Sequence, residues 1–105
     1  MTDVDNELDE DFDDDDDAED VNRVVGAVPR SVLEYLAKSI VEEPDAVMIE
    51  LEEGRRNSVN LRLHVSPDDM GRVIGRRGRV AQAIRSVVRA AGAREGVDAQ
   101  VDIVD

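Results

Sequence analysis

Two glycines separated by two arginines are the residues of this chain best suited to hold an anion. They lie in the stretch Ile74-Gly75-Arg76-Arg77-Gly78-Arg79, and a strongly periodic helical pattern follows at once. Glycine has no side chain to keep a ligand away from the backbone N–H groups, and the following helix would add the positive end of its dipole. Each arginine can form a charge-assisted pair with a phosphate. The pattern predicts a clamp for successive phosphates of a flexible single strand.

The positive charge of the chain is concentrated around this loop. The 105 residues carry a formal net charge of −13, but thirteen of the 26 acidic residues lie in the first twenty positions, which contain no Lys or Arg. Residues 21–105 are therefore neutral, with thirteen acidic and thirteen basic residues. Seven of those bases, and no acid, fall between Met70 and Arg94. The body of the chain thus offers a basic region to an anionic partner, although the whole chain is acidic.

The first twenty residues have a separate character. They include the run Asp13–Asp17 and only scattered apolar residues, so they cannot bury enough surface to offset the entropy lost on ordering. We expect residues 1–28 to form a disordered acidic tail and linker. Two roles are open for this tail. It can be a solubilising segment, or it can act as an intramolecular phosphate mimic that competes with the ligand of the loop.

The composition restricts the class of protein. The negative tail is opposite in charge to the start of a secretory signal, and the longest apolar run nearby, Val24–Val28, is far too short to span a bilayer. The chain has no cysteine, which removes disulfides and thiolate metal sites and suits a reducing cytosol. We expect a soluble, cytoplasmic protein with no cofactor or metal. The only histidine, His64, has no nucleophile near it in the sequence, so we expect no enzyme.

Hydrophobic periodicity predicts the elements that must position the loop. A helical pattern runs from Pro29 to Val41, and two alternating patterns, Val47–Leu51 and Val59–Val65, predict strands that form a hairpin around the turn Gly54–Ser58. Only 2% of the residues are aromatic, so the core must be aliphatic and no aromatic platform is available to stack bases.

A brief second helix is predicted to begin at Ser66, with Ser66 as N-cap, Pro67 at the first helical position and Asp69 as a short-armed form of the capping-box acid. It ends at the loop. The third helix starts at Arg79, with a single apolar stripe and Gly92 as its C-cap. The stripe consists of Val80, Ala83, Ile84, Val87, Val88 and Ala91. A third strand follows, with Val97, Ala99, Val101 and Ile103 on one side.

This α-β-β-α-α-β order, together with the stretch from Val73 to Val80, resembles the KH domain in its bacterial arrangement. The resemblance covers residues 29–105 and implies an α+β fold in which helices pack on a three-stranded sheet. A stand-alone domain of this length with the stretch Gly75–Arg85 is similar to the KhpA family of small bacterial RNA-binding proteins. The long acidic extension ahead of the first helix departs from the KH pattern.

The resemblance implies that the chain binds single-stranded RNA with weak sequence preference, as an RNA chaperone or post-transcriptional regulator. KH domains hold about four nucleotides at the G-x-x-G loop, with the bases in a groove beside the helices. The inner edge of the second strand is expected to border that groove. The RNA-binding residues implied are Arg72, Ile74, Gly75, Arg76, Arg77, Gly78, Arg79, Val80, Ala81 and Arg85. Expected partners are a second copy in a homodimer and a larger KH protein of the KhpB (Jag or EloR) type, linked to cell elongation, division and cell shape.

Three other interpretations remain open. The glycine pair can simply end one helix and start another, with its arginines a solvated face. The domain can be a protein-interaction module in a KH-protein complex, with incidental RNA contact. Single-stranded DNA is also an open ligand, because phosphate contacts do not distinguish the two sugars.

Overall fold

The computed structural model describes residues 25–105, and their helices and strands follow the predicted order. The elements are α1 (Ala27–Ile40), β1 (Met48–Glu53), β2 (Ser58–His64), α2 (Met70–Ile74), α3 (Arg79–Arg94) and β3 (Asp98–Ile103). Short 3-10 turns occupy Pro44–Ala46, Pro67–Asp69 and Arg76–Gly78. The predicted α+β class is confirmed. Helix α1 begins two residues before the expected domain boundary at residue 29, and residues 1–24 of the predicted tail and linker, 1–28, lie outside the described residues.

Strand β2 lies in the centre of the sheet, between β1 and β3. It runs antiparallel to β1, with Leu61 opposite Leu51, and parallel to β3, with Leu61 opposite Val101. A parallel pair requires a long crossover connection, and α2, the loop and α3 supply it. The loop therefore sits within a crossover whose two ends are fixed by neighbouring strands.

The predicted β1–β2 hairpin is confirmed. Arg56 and Asn57 have φ values of 55° and 60°, and the Ser58 N–H donates to the Arg55 carbonyl at 3.0 Å. Left-handed backbone at both central positions is the type I′ turn that matches the twist of the flanking strands. This turn places two exposed arginines, Arg55 and Arg56, at the end of the sheet where β2 begins.

Helices α1 and α3 cover one face of the sheet and enclose an aliphatic core, as the low aromatic content requires. The buried cluster consists of Leu33, Ala37, Ile49, Val59, Leu61, Leu63, Ile84, Val88 and Ala99. Tyr35 takes no part in it and is 72% exposed. No helix of the described residues is long and apolar enough to cross a bilayer.

The opposite face of the sheet carries polar side chains and is acidic. The alternation that buries Ile49, Leu61 and Ala99 turns their strand neighbours outward. Glu50 and Glu52 of β1 lie 3.9 Å from the guanidinium of Arg62, and Asp102 of β3 is the register partner of Arg62. A single arginine is thus surrounded by carboxylates on this face.

Helix α3 ends differently from the prediction. The helix continues past Gly92 to Arg94, and Gly96, with φ 72°, takes the left-handed position after it. Gly92 is instead buried where α3 crosses β3, and a Cβ atom there would lie 2.8 Å from the Val97 carbonyl oxygen and 3.0 Å from the Ala99 Cβ. The sequence offered two glycines near one helix end, and only the approach of β3 decides which one caps it.

The apolar stripe predicted on α3 is also wider than the face that the core uses. Ala81, Ile84, Val88 and Gly92 are buried, whereas Ala83 is exposed and Val87 is 47% exposed. Both sets have helical spacing, so periodicity alone does not choose between them. The residues that face the sheet and α1 are buried, and Ala83 and Val87 lie in solvent.

The two helical glycines Gly92 and Gly71 give a matched test of these contacts. Gly92→Ala is expected to destabilise the domain by about 1–3 kcal/mol, because the new methyl group meets backbone that cannot move aside. Nothing lies within 4 Å of a Cβ at Gly71, so Gly71→Ala should be neutral or stabilise by up to about 1 kcal/mol. Urea unfolding of both variants measures the difference. Equal stabilities would contradict the close approach of β3 to Gly92.

Candidate nucleic-acid interface

The loop between α2 and α3 is a tight turn in which three of four successive residues have positive φ values. Gly75 has φ 76° and ψ 173°, Arg77 has φ 57° and ψ 26°, and Gly78 has φ 74° and ψ 14°. The loop hydrogen bonds are donated by the N–H groups of Gly75 to Gly71, of Gly78 to Gly75 and of Arg79 to Arg76. Among the described residues, the N–H groups of Arg76 and Arg77 are therefore left available to a ligand.

The two glycines serve different purposes. A Cβ at Gly75 would collide with the Val80 side chain and lie 2.8 Å from the Val80 backbone nitrogen. Nothing lies within 4 Å of a Cβ at Gly78. Gly75 thus allows the loop to close against the start of α3, and Gly78 leaves open space beside the exposed arginines.

Arg76, Arg77 and Arg79 project from this turn and are exposed. None of them forms an ion pair with a carboxylate of the described residues. They lie at the N-terminal end of the 16-residue helix α3, where the helix dipole adds positive potential. The loop therefore combines unpaired guanidinium groups, available amide donors and a helix N-terminus at one place.

Arg72 differs from the loop arginines because it is bound within the protein. Its guanidinium lies 2.9 Å from the Glu42 carboxylate and donates through Nε to Asp69 at 3.1 Å. The Asp69 side chain is only 2% exposed and accepts the N–H groups of Glu42 and Glu43, each at 3.1 Å. These contacts tie the start of α2 to the connection that follows α1. Arg72 thus helps to position the loop, and it is not counted among the free phosphate ligands.

The capping role predicted for Ser66 and Asp69 is wrong. The Ser66 side chain makes no capping hydrogen bond, and Pro67–Asp69 forms a 3-10 turn before α2. The Asp69 carboxylate is held by backbone donors 26 and 27 residues earlier in the chain. These hydrogen bonds, led by the one from Glu42, lower the pKa of Asp69 despite its burial. A local motif could not reveal a partner that only the fold brings near.

The apolar residues expected around the groove divide into two groups. Ile74 is 39% exposed and Val80 is half-buried beside Gly75, so both can touch a ligand at the loop. Ala81 is only 4% exposed and belongs to the core, which corrects its assignment to the groove. The predicted edge of β2 is also unavailable, because β2 is paired on both sides. Within the described sheet the open edge beside α3 belongs to β3.

Arg85 reaches that open edge. It is half-buried on α3, and its Nε donates to the Val101 carbonyl of β3 at 3.3 Å. The sequence placed Arg85 in the binding set but could not place this contact, because it joins two elements through the fold. Arg85 thus links the helix that carries the loop to the open strand.

Comparisons with known proteins bear on the identity of this fold and loop. A family model described as the KH domain of KhpA and KhpB matches residues 30–103, which include every element from β1 to β3 and all but the first three residues of α1. The chain belongs to the KhpA family. KhpA from Clostridium acetobutylicum is 44% identical over 75 residues, 71% of this chain and 99% of that protein. KhpA from Streptomyces coelicolor is 52% identical over 73 residues, 70% of this chain and 87% of that protein.

KhpA from Mycobacterium bovis is 43% identical over 81 residues, 77% of this chain and 96% of that protein. These KhpA proteins bear the name RNA-binding protein, which agrees with the expectation that the chain is not an enzyme. Among solved structures, Era from Aquifex aeolicus shares the fold with a TM-score of 0.52 at 15% identity. The similarity covers 72% of this chain and 30% of the Era chain, so it supports the fold alone.

The unequal roles of the two loop glycines lead to a prediction. Gly75→Ala should destabilise the domain by about 2–4 kcal/mol, because it combines a backbone conformation reserved for glycine with a collision against Val80. Gly78→Ala should cost only about 1 kcal/mol, the price of a left-handed alanine with open space around it. Thermal or urea unfolding of the two variants measures this difference. A Gly78 variant as unstable as the Gly75 variant would contradict the loop geometry.

The buried carboxylate of Asp69 predicts a pH dependence of stability. Its pKa is lowered in the folded state, so its stabilisation is complete above the ordinary value of about 4 and is lost as the pH falls through the lowered pKa. Asp69→Asn should therefore be less stable at neutral pH and should lose less stability between about pH 4 and pH 2 than the unmodified protein. Asp68→Asn is the control, since Asp68 is exposed and makes none of these bonds. Parallel acid-unfolding curves for the Asp69 variant and the unmodified protein would contradict this role.

Proposed function

We propose that this protein binds single-stranded RNA with weak sequence preference by clamping phosphates at the Gly75–Gly78 loop, and that it acts as an RNA chaperone or post-transcriptional regulator. The observation that carries the proposal is the exposure of Arg76, Arg77 and Arg79 without a carboxylate partner among the described residues. An arginine retained in an internal ion pair, as Arg72 is, must give up that pair to bind a phosphate. The three loop arginines lose only their bound water when they bind a phosphate.

The surroundings of the loop support weak base selectivity. Sequence is discriminated by hydrogen bonds to base edges and by stacking, and phosphate contacts contribute neither. The apolar side chains that can contact a base next to the loop are Ile74 and Val80. Aliphatic side chains of this kind discriminate little between one base and another. The expected contribution to affinity is therefore mainly electrostatic, with about three to four phosphates neutralised and a slope of log affinity against log salt of about −2 to −3.

A single domain of this kind should bind RNA weakly, so a second binding unit is expected to supply affinity. An exposed strip on α3, formed by Ala83, Val87 and Ala90, is available for a partner, and Val87 is 47% exposed. We infer that this strip serves a homodimer or pairing with a KhpB-type protein, which would connect the protein to cell elongation and cell shape. The same strip favours the second candidate function, a protein-interaction module with incidental RNA contact.

A charge-reversal pair tests the loop. Arg76→Asp with Arg77→Asp should weaken binding of a labelled single-stranded RNA at least about tenfold at low salt and flatten the salt slope by about 1.4, the equivalent of two phosphate contacts. The matched control is Arg55→Asp with Arg56→Asp, which makes the same charge change in the exposed hairpin turn at the far end of the sheet. Fluorescence anisotropy over a salt series measures both variants.

Equal weakening by the two double variants would mean that net charge, and not the loop, determines binding. Undiminished binding by a folded loop variant would favour the protein-interaction module. Repeating the titration with a DNA oligonucleotide of the same sequence separates the remaining ligands, because only a contact to the 2′-OH favours RNA.

A further inference from the structure

The arginine surface at the loop fits an occupant that the chain itself carries. We propose that the acidic run Asp13–Asp17 docks on the surface formed by Arg76, Arg77 and Arg79, and that RNA must displace it. This inference rests on the proposed function of that surface as a phosphate-binding site. It gives the acidic N-terminal segment a defined partner within the same molecule.

Charge complementarity is the first argument. The first twenty residues contain thirteen carboxylates and no basic residue, whereas the span from Met70 to Arg94 contains seven arginines and no acid. Arg72 is paired with carboxylates and Arg85 with a backbone carbonyl. The three arginines of the proposed surface are exposed and form no ion pair with the described residues. A carboxylate can therefore approach them without displacing another.

Arginines on the sheet and in its hairpin turn are poorer partners for the acidic run. Arg62 lies on the open sheet face, where Glu50 and Glu52 already flank it. Arg55 and Arg56 in the hairpin turn are separated from Glu52 and Glu53 only by Gly54. Asp98 adjoins the same turn, since its N–H donates to the Asn57 carbonyl at 2.9 Å. Repulsion from these carboxylates makes the sheet and its hairpin turn poorer partners than the loop, where three exposed arginines lie within four residues.

The point at which the segment joins the domain determines which acids can reach the loop. A Cβ at Gly26 would lie 2.9 Å from Val59 and 3.2 Å from Leu51, so the chain joins the domain at the hairpin end of the sheet. Helix α3 carries Gly92 at that end, next to Ala99, and carries the loop at the other. The thirteen helical steps from Gly92 to Arg79 span about 20 Å.

An extended chain advances about 3.4 Å per residue. Asp20 lies five residues before Val25, and its backbone reaches about 17 Å even when fully extended, so only its side chain and that of an arginine span the remaining distance to the loop. Asp17 lies eight residues before Val25 and reaches about 27 Å, which is sufficient. The Asp13–Asp17 run is thus the nearest dense group of carboxylates that can arrive at the arginine surface.

The proposed contact uses a segment that lies outside the domain shared with the clostridial relative. The 75 residues matched in the clostridial KhpA account for 99% of that protein, which leaves no room for a segment like the first twenty residues here.

A tethered competitor lowers the fraction of molecules whose loop is free to bind RNA, and it reduces the apparent affinity for RNA by the same factor. Ligands that offer several phosphates at once would displace it, and short or weakly held ones would not.

The test compares three full-length proteins: the unmodified chain, a variant with Asp13–Asp17 all changed to Asn, and a control with Glu19→Gln and Asp20→Asn. Without RNA, the five-residue variant should shift the NMR amide signals of Gly75, Arg76, Arg77 and Arg79 and leave those of Arg55 and Arg56 in place. It should bind single-stranded RNA about twofold to tenfold more tightly at about 50 mM salt, and the difference should vanish at about 500 mM salt. The Glu19 and Asp20 control should change the loop signals and the affinity much less than the five-residue variant does.

Each other outcome overturns a defined part of the inference. Unmoved loop signals, or signals that move only in the hairpin turn, would exclude docking at the loop. Shifts that grow with protein concentration would show that the contact forms between molecules and not within one. If the loop signals move as expected but none of the three proteins binds RNA, the docking contact stands and the proposed RNA-binding function fails.

Discussion

The absence of a side chain at Gly75 is the constraint on which the loop depends. Helix α3 must start directly against the end of α2, and the Val80 backbone occupies the space that any Cβ at Gly75 would need. This close approach brings the positive end of α3 to the same point as the exposed guanidinium groups. Since the crossover that contains the loop joins two neighbouring parallel strands, its position is fixed by the sheet. The loop is thus rigidly presented even though it is short and solvated.

The arginines around the loop have different roles, and the buried carboxylate of Asp69 determines which of them is structural. Asp69 is removed from water and needs several donors to remain ionised, and Arg72 is one of them. Removing that arginine would leave a buried charge with one fewer partner, so Arg72 belongs to the fold. Arg76, Arg77 and Arg79 face no such carboxylate among the described residues, and their charge is available to an external anion. Arg85 is intermediate, since a carbonyl holds it without neutralising its charge.

The domain separates its charge between its two faces. The helical side carries the basic loop and most of the arginines, and the open sheet face carries Glu50, Glu52, Asp98 and Asp102 around Arg62. Such an arrangement orients an approaching polyanion toward the loop and away from the sheet. It also means that the net charge of the chain, which the first twenty residues dominate, says little about the potential that a ligand meets.

The sequence by itself determined the order of elements, the aliphatic core, the hairpin and the position of the basic loop. Each of these follows from local information: alternation in strands, helical spacing, and glycines beside arginines. Only the tertiary structure decided that Asp69 binds the backbone at Glu42 and Glu43, that Ala81 is buried and Val87 exposed, and that β2 is enclosed between two strands. It also decided that Gly96, and not Gly92, follows the end of α3 in the left-handed conformation. Most of these features depend on contacts between residues distant in the chain, and the choice between the two glycines depends on how β3 packs against α3. Periodicity along the chain describes neither kind of packing.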